Sequence, residues 1–295
     1  MHHELVFSSP RKLPFPSTLH GQIVVLDIAF CSVGLVPSYK EMTLPFINEL
    51  GYRLSAWVDH HNHPNHVDFS HDSRFLLSTK EQHRACPEMI TEEFVETHSP
   101  VDTIVCHMDL DGLYSAAKWI LGGKTPYTEA DSDAAAIDSR IGEPTVIGLT
   151  IDMALRASFR DDQLKYTIIN YLTSRKSSQK KEFWKEIKSI SDSFYPLYES
   201  SIRLSEKYVI SGNLAWVNVD SKIKFDKTEL LLRGQNLAKV SAIESSGNIT
   251  VAAATNSGIN LLEILDLGGG MPTRVTLPSS MRDKIREKIM EAKLQ

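Results

Sequence analysis

The chain has 295 residues, of which 42% are hydrophobic and 23% charged, with a formal net charge of −5. That length exceeds a typical single domain, and the composition excludes disordered, collagen-like and membrane classes. A negative balance gives no general attraction for nucleic acid, so it argues against a protein that coats duplex DNA. A polyanionic substrate would have to be held by local basic groups or by metal ions.

In chain order, the first 21 residues carry prolines and charges but no apolar signal core, and no run approaches the ~18 apolar residues of a membrane span. Cys31, Cys86 and Cys106 are odd in number and widely spaced, which fits a reducing compartment better than a disulfide framework or a zinc knuckle. The expectation is a cytoplasmic protein that is neither exported nor embedded in a membrane. The run from Gln22 to Asp27 reads as a strand buried on both faces. A helix follows over Ser38 to Leu50, closed by Gly51, and then a second strand over Arg53 to Asp59. This βαβ pattern predicts parallel pairing.

Residues 60 to 75 form a polar, histidine-rich loop with His60, His61, His63, His66 and His71. A strand over Ser73 to Ser78 and a helix over Pro87 to Glu96 come next. Val101 to His107 is a further apolar strand, and after a turn over Met108 to Gly112 a helix covers Leu113 to Leu121. The stretch 147–207 is helical in pattern. From 208 the texture alternates, with strands at Leu214 to Val219, Val240 to Glu244 and Asn248 to Ala254, a helix near Thr228 to Ala238, and a last helix from Ser279. The expected fold class is α/β: a mainly parallel sheet lobe with helices on both faces (1–146), a helical connection (147–207) and a smaller C-terminal α/β lobe (208–295).

Ligands of parallel sheets bind outside the carboxyl ends of the strands. Asp27, Asp59, His60, His107 and Asp109 all fall at such ends, and carboxylates crowded together without basic partners are costly unless cations sit among them. In His107-x-Asp109-x-Asp111-Gly112, alternate side chains can face one cavity while Gly112 permits a tight turn into the next helix. That helix's N-terminus suits a phosphate. Oxygen and imidazole donors without thiolate favour Mn2+ or Mg2+, with Co2+ or Fe2+ able to substitute, and six candidate ligands are enough for two ions. His63, His66 and His71 read as mobile surface histidines outside the site. Cys106 reads as a buried apolar residue.

Val58-Asp59-His60-His61 after a strand, His107-Met-Asp109-Leu-Asp111-Gly112 before a helix, and Gly268-Gly269-Gly270 near the C-terminus together resemble the DHH phosphoesterase family with its associated C-terminal domain. The resemblance implies a two-ion, usually manganese, site that activates water for attack on phosphorus. It places His107 and Asp109 on one ion, Asp111 and His60 on the other, Asp27 between them, and His61 on the scissile phosphate. His61, Asp109 and Asp111 are thus the expected catalytic residues. The last ligand in the family ends a small-residue strand. Ala134 to Arg140 resembles that element with Asp138 as ligand, Asp131 and Asp133 competing.

Arg140, Gly268, Gly269, Gly270 and Arg274 are the expected substrate contacts, Arg274 standing where the family carries other phosphate-binding groups. The motif order differs from the family's usual one, since Asp27 and Asp59-His60-His61 precede His107-x-Asp109-x-Asp111, as in a circular permutation. The expected substrates are small nucleotides or short oligonucleotides: oligoribonucleotides, linear dinucleotides or nucleoside bisphosphates. A homodimer is compatible with this reading. The alternatives are an inorganic pyrophosphatase or polyphosphatase of the same superfamily, and a nucleotide sensor that binds without cleaving.

Overall fold

The structure is a computed structural model, and it describes residues 3–31, 38–139, 141–254, 257–267 and 272–292. The chain divides into two compact units, Met1–Ser193 and Phe194–Gln295. Among the described residues the first unit holds a sheet of β1 (Glu4–Ser8), β2 (Ile23–Leu26), β3 (Leu54–Asp59), β4 (Phe75–Leu77) and β5 (Thr103–His107). Their order is β1-β5-β2-β3-β4, with every neighbouring pair parallel. The α/β class expected from the sequence is the one observed.

The apolar runs are continuous because both faces are covered. Val24, Leu26, Ala56, Val58, Ile104 and Cys106 join one core, together with residues of α3 (Leu110–Ile120), α4 (Ala130–Ser139), α5 (Val146–Ala157) and α6 (Asp162–Thr173). Ile23, Val25, Trp57 and Val105 join another, packed with Phe46, Ile47 and Leu50 of α1 (Thr43–Leu50). A short α2 (Glu92–Thr97) precedes β5, capped by the Thr91 hydroxyl, which accepts from Phe94 N–H. Strand β1 escapes sequence reading because it is a half-exposed edge strand of five residues.

The small-residue run expected to be a strand is instead helix α4. Its alanines are the strongest helix formers, and all three pack into the core at Ala134, Ala135 and Ala136 or its margin. A long helix, α7 (Ser177–Ser205), carries residues of both units.

The second unit's sheet has the order β10-β9-β8-β7-β6, from β6 (Val209–Ser211), β7 (Leu214–Val219), β8 (Val240–Ser245), β9 (Asn248–Ala253) and β10 (Arg274–Pro278). Only β7 and β8 pair in parallel, and α8 (Lys227–Gln235) supplies the crossover such a pair requires. A single turn of helix, α9 (Leu261–Ile264), and α10 (Arg282–Glu291) bury Leu261, Ile285 and Ile289 with Val240, Ile249 and Val251. No described helix is long and apolar enough to cross a membrane.

Candidate metal centre

Strands β5, β2 and β3 are neighbours, so the residues at their carboxyl ends meet whatever their order in the chain. Asp27 directly follows β2 with φ 58°, a left-handed conformation that costs a non-glycine residue roughly 1–2 kcal/mol. Its N–H donates to Val58 O at 2.8 Å, and the buried Trp57 indole donates to Ile28 O at 2.9 Å, which together hold the turn in place. Both Asp27 carboxylate oxygens are buried without a hydrogen-bond partner.

His60, fully buried after β3, uses Nδ1 to donate to His83 O at 2.9 Å. A carbonyl only accepts, so Nε2 is the atom presented to the cluster. It lies 3.4 Å from Asp27 Oδ1, 3.3 Å from Asp111 Oδ2 and 3.9 Å from Asp138 Oδ2, with no hydrogen bond formed.

His107 ends β5, its Nδ1 3.6 Å from Asp27 Oδ2 and 2.7 Å from Asp109 Oδ2, again without acceptable hydrogen-bond geometry. Asp109 is the N-cap of α3, its Oδ1 accepting from Gly112 N–H at 3.3 Å. Gly112 is required by close approach, since a Cβ there would stand 2.5 Å from His107 O. Asp111, in the first turn and buried, accepts from Cys86 N–H at 3.4 Å.

Electrostatics show what this cluster lacks. Burial, then the neighbouring Asp111 and Asp109, pushes Asp27 up to about 7. Burial works against a charge on His60, yet Asp111 and Asp27 outweigh it and carry the ring up to about 11. Burial likewise opposes a charge on His107, which Asp109 and Asp27 push up to about 11. The carboxylates therefore call for positive charge.

Among the described residues, three sets of donor atoms lie close enough to hold an ion, each within 4.8 Å: Asp27, His107 and Asp109; His60, Asp111 and Asp138; and Asp27, His60 and His61. Orphaned buried donors and an all-oxygen-and-imidazole set fit a divalent cation of the Mn2+ or Mg2+ type.

The other sequence candidates separate clearly. Asp131 pairs with Lys118, and Asp133 accepts from Tyr127 Oη, Thr145 N–H and Thr145 Oγ1, each at 2.6 Å, and from Gly148 N–H at 3.1 Å. Of the three aspartates on α4, Asp138 is the one in a donor set. Asp59 is fully buried, its Oδ1 2.8 Å from His61 Nδ1 and its Oδ2 accepting from His61 N–H at 3.3 Å, and it lies outside the three sets.

His63 and His66 are partly buried and packed against their neighbours. His63 Nε2 donates to Cys31 O at 2.9 Å, and the His66 ring stands edge-on to Phe30 at 4.9 Å. The thiols of Cys86 and Cys106 are fully buried, and burial pushes both well up, out of the nucleophilic range. In the second unit Arg274 is half-buried, its Nη1 donating to Thr228 Oγ1 at 3.4 Å, and burial lowers its pKa. It has no carboxylate partner among the described residues. Arg140, Gly268, Gly269 and Gly270 lie outside the described residues.

Sequence reasoning overlooked Lys80, whose Nζ donates to Asp138 Oδ2 at 2.6 Å, and His83, whose carbonyl orients His60. No local pattern marks either one. A lysine in a polar turn is ordinarily a solvated residue, and its partner here lies 58 residues away.

No family model matches the sequence, and no curated protein does either. By structure, the chain is similar to the pGpG-specific phosphodiesterase PggH from Vibrio cholerae, with TM-score 0.51 and 13% identity, over 92% of this chain and 98% of that one. It also resembles exonuclease RecJ bound to manganese, with TM-score 0.48 and 11% identity over 91% and 74% of the two chains. The DHH domain of a member of a ribosomal-protein family matches with TM-score 0.42 and 12% identity, over 92% and 70%. With its strand ends, its helix α3 and its second α/β unit in place, the chain has the fold of a DHH-family phosphoesterase.

Proposed function

We propose that this chain is a divalent-metal-dependent phosphoesterase that hydrolyses short nucleotidic phosphoesters, linear dinucleotides first among them. The observation that carries the reading is the meeting of Asp27, His60, His107, Asp109, Asp111 and Asp138, with both Asp27 oxygens, His60 Nε2 and His107 Nδ1 buried and unpartnered. The likeness to a pGpG-specific phosphodiesterase along nearly the whole length of both chains supports a substrate of that size.

In this reading Asp27, His107 and Asp109 would hold one ion and His60, Asp111 and Asp138 a second, with Asp27 also within reach of His60. Ions bound there supply Lewis-acid polarisation of a phosphoryl oxygen and a water ionised near neutral pH. The chain's own part is positioning. Asp59 fixes the His61 ring through Nδ1 and, against the opposing effect of burial, favours its protonated form, whose Nε2–H donates to the scissile phosphate. The residues 208–295 are the proposed substrate-binding region, with Arg274 and Gly268 to Gly270 as its expected contacts. Mn2+ is the expected physiological ion.

Purified protein with Mn2+ should hydrolyse at least one member of a panel of pGpG, short oligoribonucleotides and nucleoside bisphosphates, and should favour it over inorganic pyrophosphate. Asp109→Ala should lower kcat by about a thousandfold, the scale of lost electrostatic stabilisation at a reacting centre. An inactive wild type across the panel, or an Asp109→Ala variant with the wild-type rate, refutes the reading.

A further inference from the structure

The turn over residues 79–83 lies beside the metal centre, and two of its members face the second donor set. Gln82 N–H and His83 N–H both donate to Thr79 O, at 3.0 and 2.9 Å, and Lys80 N–H donates to Asn62 Oδ1 at 3.3 Å. The Lys80 backbone is thus tied to the segment that follows Asp59-His60-His61, while its side chain is one-third exposed and can be re-aimed. The ammonium sits 2.6 Å from Asp138 Oδ2, and that same oxygen faces His60 Nε2 at 3.9 Å. Asp138 is therefore claimed twice, by Lys80 and by the set it forms with His60 and Asp111.

We propose that Lys80 and a divalent ion contend for Asp138, and that once the ion holds Asp138 the Lys80 ammonium turns to a non-bridging oxygen of the substrate phosphate. This rests on the phosphoesterase reading above. Charge balance supports it: the carboxylates of Asp27, Asp109, Asp111 and Asp138 are matched by two divalent ions and Asp59 is paired with His61, which leaves the part-exposed Lys80 ammonium as the surplus positive charge. A compact ammonium on a flexible four-carbon stem suits this exchange of partners better than a planar guanidinium.

The sign of one measurement separates this role from a structural one. If Lys80 merely braced Asp138, its removal would loosen the ion. If it competes for Asp138, its removal tightens the ion. Mn2+ binding to wild type, Lys80→Met and Lys80→Arg is read by the electron paramagnetic resonance of free Mn2+, and kcat and KM are read with pGpG. Lys80→Met is expected to tighten Mn2+ binding at the position of His60, Asp111 and Asp138 roughly two- to fivefold, the scale of a part-exposed ion pair. It should also raise KM roughly tenfold or more, the scale of a lost charge-assisted hydrogen bond, with Lys80→Arg recovering part of that loss. Weaker or unchanged Mn2+ binding in Lys80→Met overturns the proposal, as does a wild-type KM in Lys80→Met when the wild type is active. A wild type inactive on every phosphoester refutes the functional reading instead, and the Mn2+ isotherms still decide the competition at Asp138.

Discussion

Asp27 belongs to two of the three donor sets, with His107 and Asp109 and with His60 and His61, whereas Asp109 and Asp138 each belong to one. Asp27→Asn keeps the side chain's shape and removes its charge, so it should weaken both ion positions, while Asp109→Asn and Asp138→Asn should each weaken one. Losing a buried charged partner costs roughly 3 kcal/mol or more, about a hundredfold in affinity. With Mn2+ at a hundred times the wild-type Kd, each occupied position adds about 2.7 kcal/mol of stability.

At about 2–4 °C per kcal/mol for a unit of this size, each position is worth about 5–10 °C in Tm. Wild type should therefore gain about twice that on passing from EDTA to Mn2+, as two positions fill. Asp109→Asn and Asp138→Asn should keep about half of the gain and Asp27→Asn almost none. Calorimetry with and without Mn2+, alongside a count of bound Mn2+ by paramagnetic resonance, makes the measurement. An Asp27→Asn variant that binds both ions with wild-type affinity refutes the assignment of Asp27 between them. So does a wild type whose Tm ignores saturating Mn2+.

Two further outcomes follow from the geometry. Gly112→Ala would place a Cβ 2.5 Å from His107 O and 2.7 Å from His107 Cβ, so the turn must shift. A loss of about 1–3 kcal/mol in urea unfolding is expected, with weaker Mn2+ binding at the position of His107 and Asp109; wild-type stability in this variant contradicts the packing argument. In the second unit Arg282 Nε donates to Glu244 at 2.8 Å and holds the Glu244 carboxyl below its ordinary range. A depressed carboxyl pKa stabilises the fold above the unfolded value and loses that contribution as pH falls through the folded one. Glu244→Gln should therefore cost about 1 kcal/mol at pH 7, since Arg282 is half exposed. The difference should begin to shrink near pH 4, the ordinary carboxylate range, and close as pH falls through the lower folded value; a cost at pH 2 as large as at pH 7 contradicts it.

The strands that carry chemistry are legible in the amino-acid order. Each is a short β-branched or apolar run ending on Asp or His, and a parallel strand buried on both faces has to be apolar along its length, so its end shows as the first polar residue. The turn at His107 to Gly112 was equally legible, because capping and close approach act between residues two to five apart.

Tertiary structure alone decided the rest. Whether residues 134–138 are strand or helix depended on packing as much as on period, and alanine's helix propensity prevailed. Which aspartate of α4 reaches the cluster was settled by what saturates the other two: Lys118 takes Asp131, and the Tyr127, Thr145 and Gly148 groups take Asp133. The adjacency of β5, β2 and β3 joins strand ends that lie far apart along the chain, at Leu26, Asp59 and His107. Lys80 and the His83 carbonyl were invisible for the same reason: their roles exist only through partners brought to them by the sheet, and nothing in their immediate sequence carries that information.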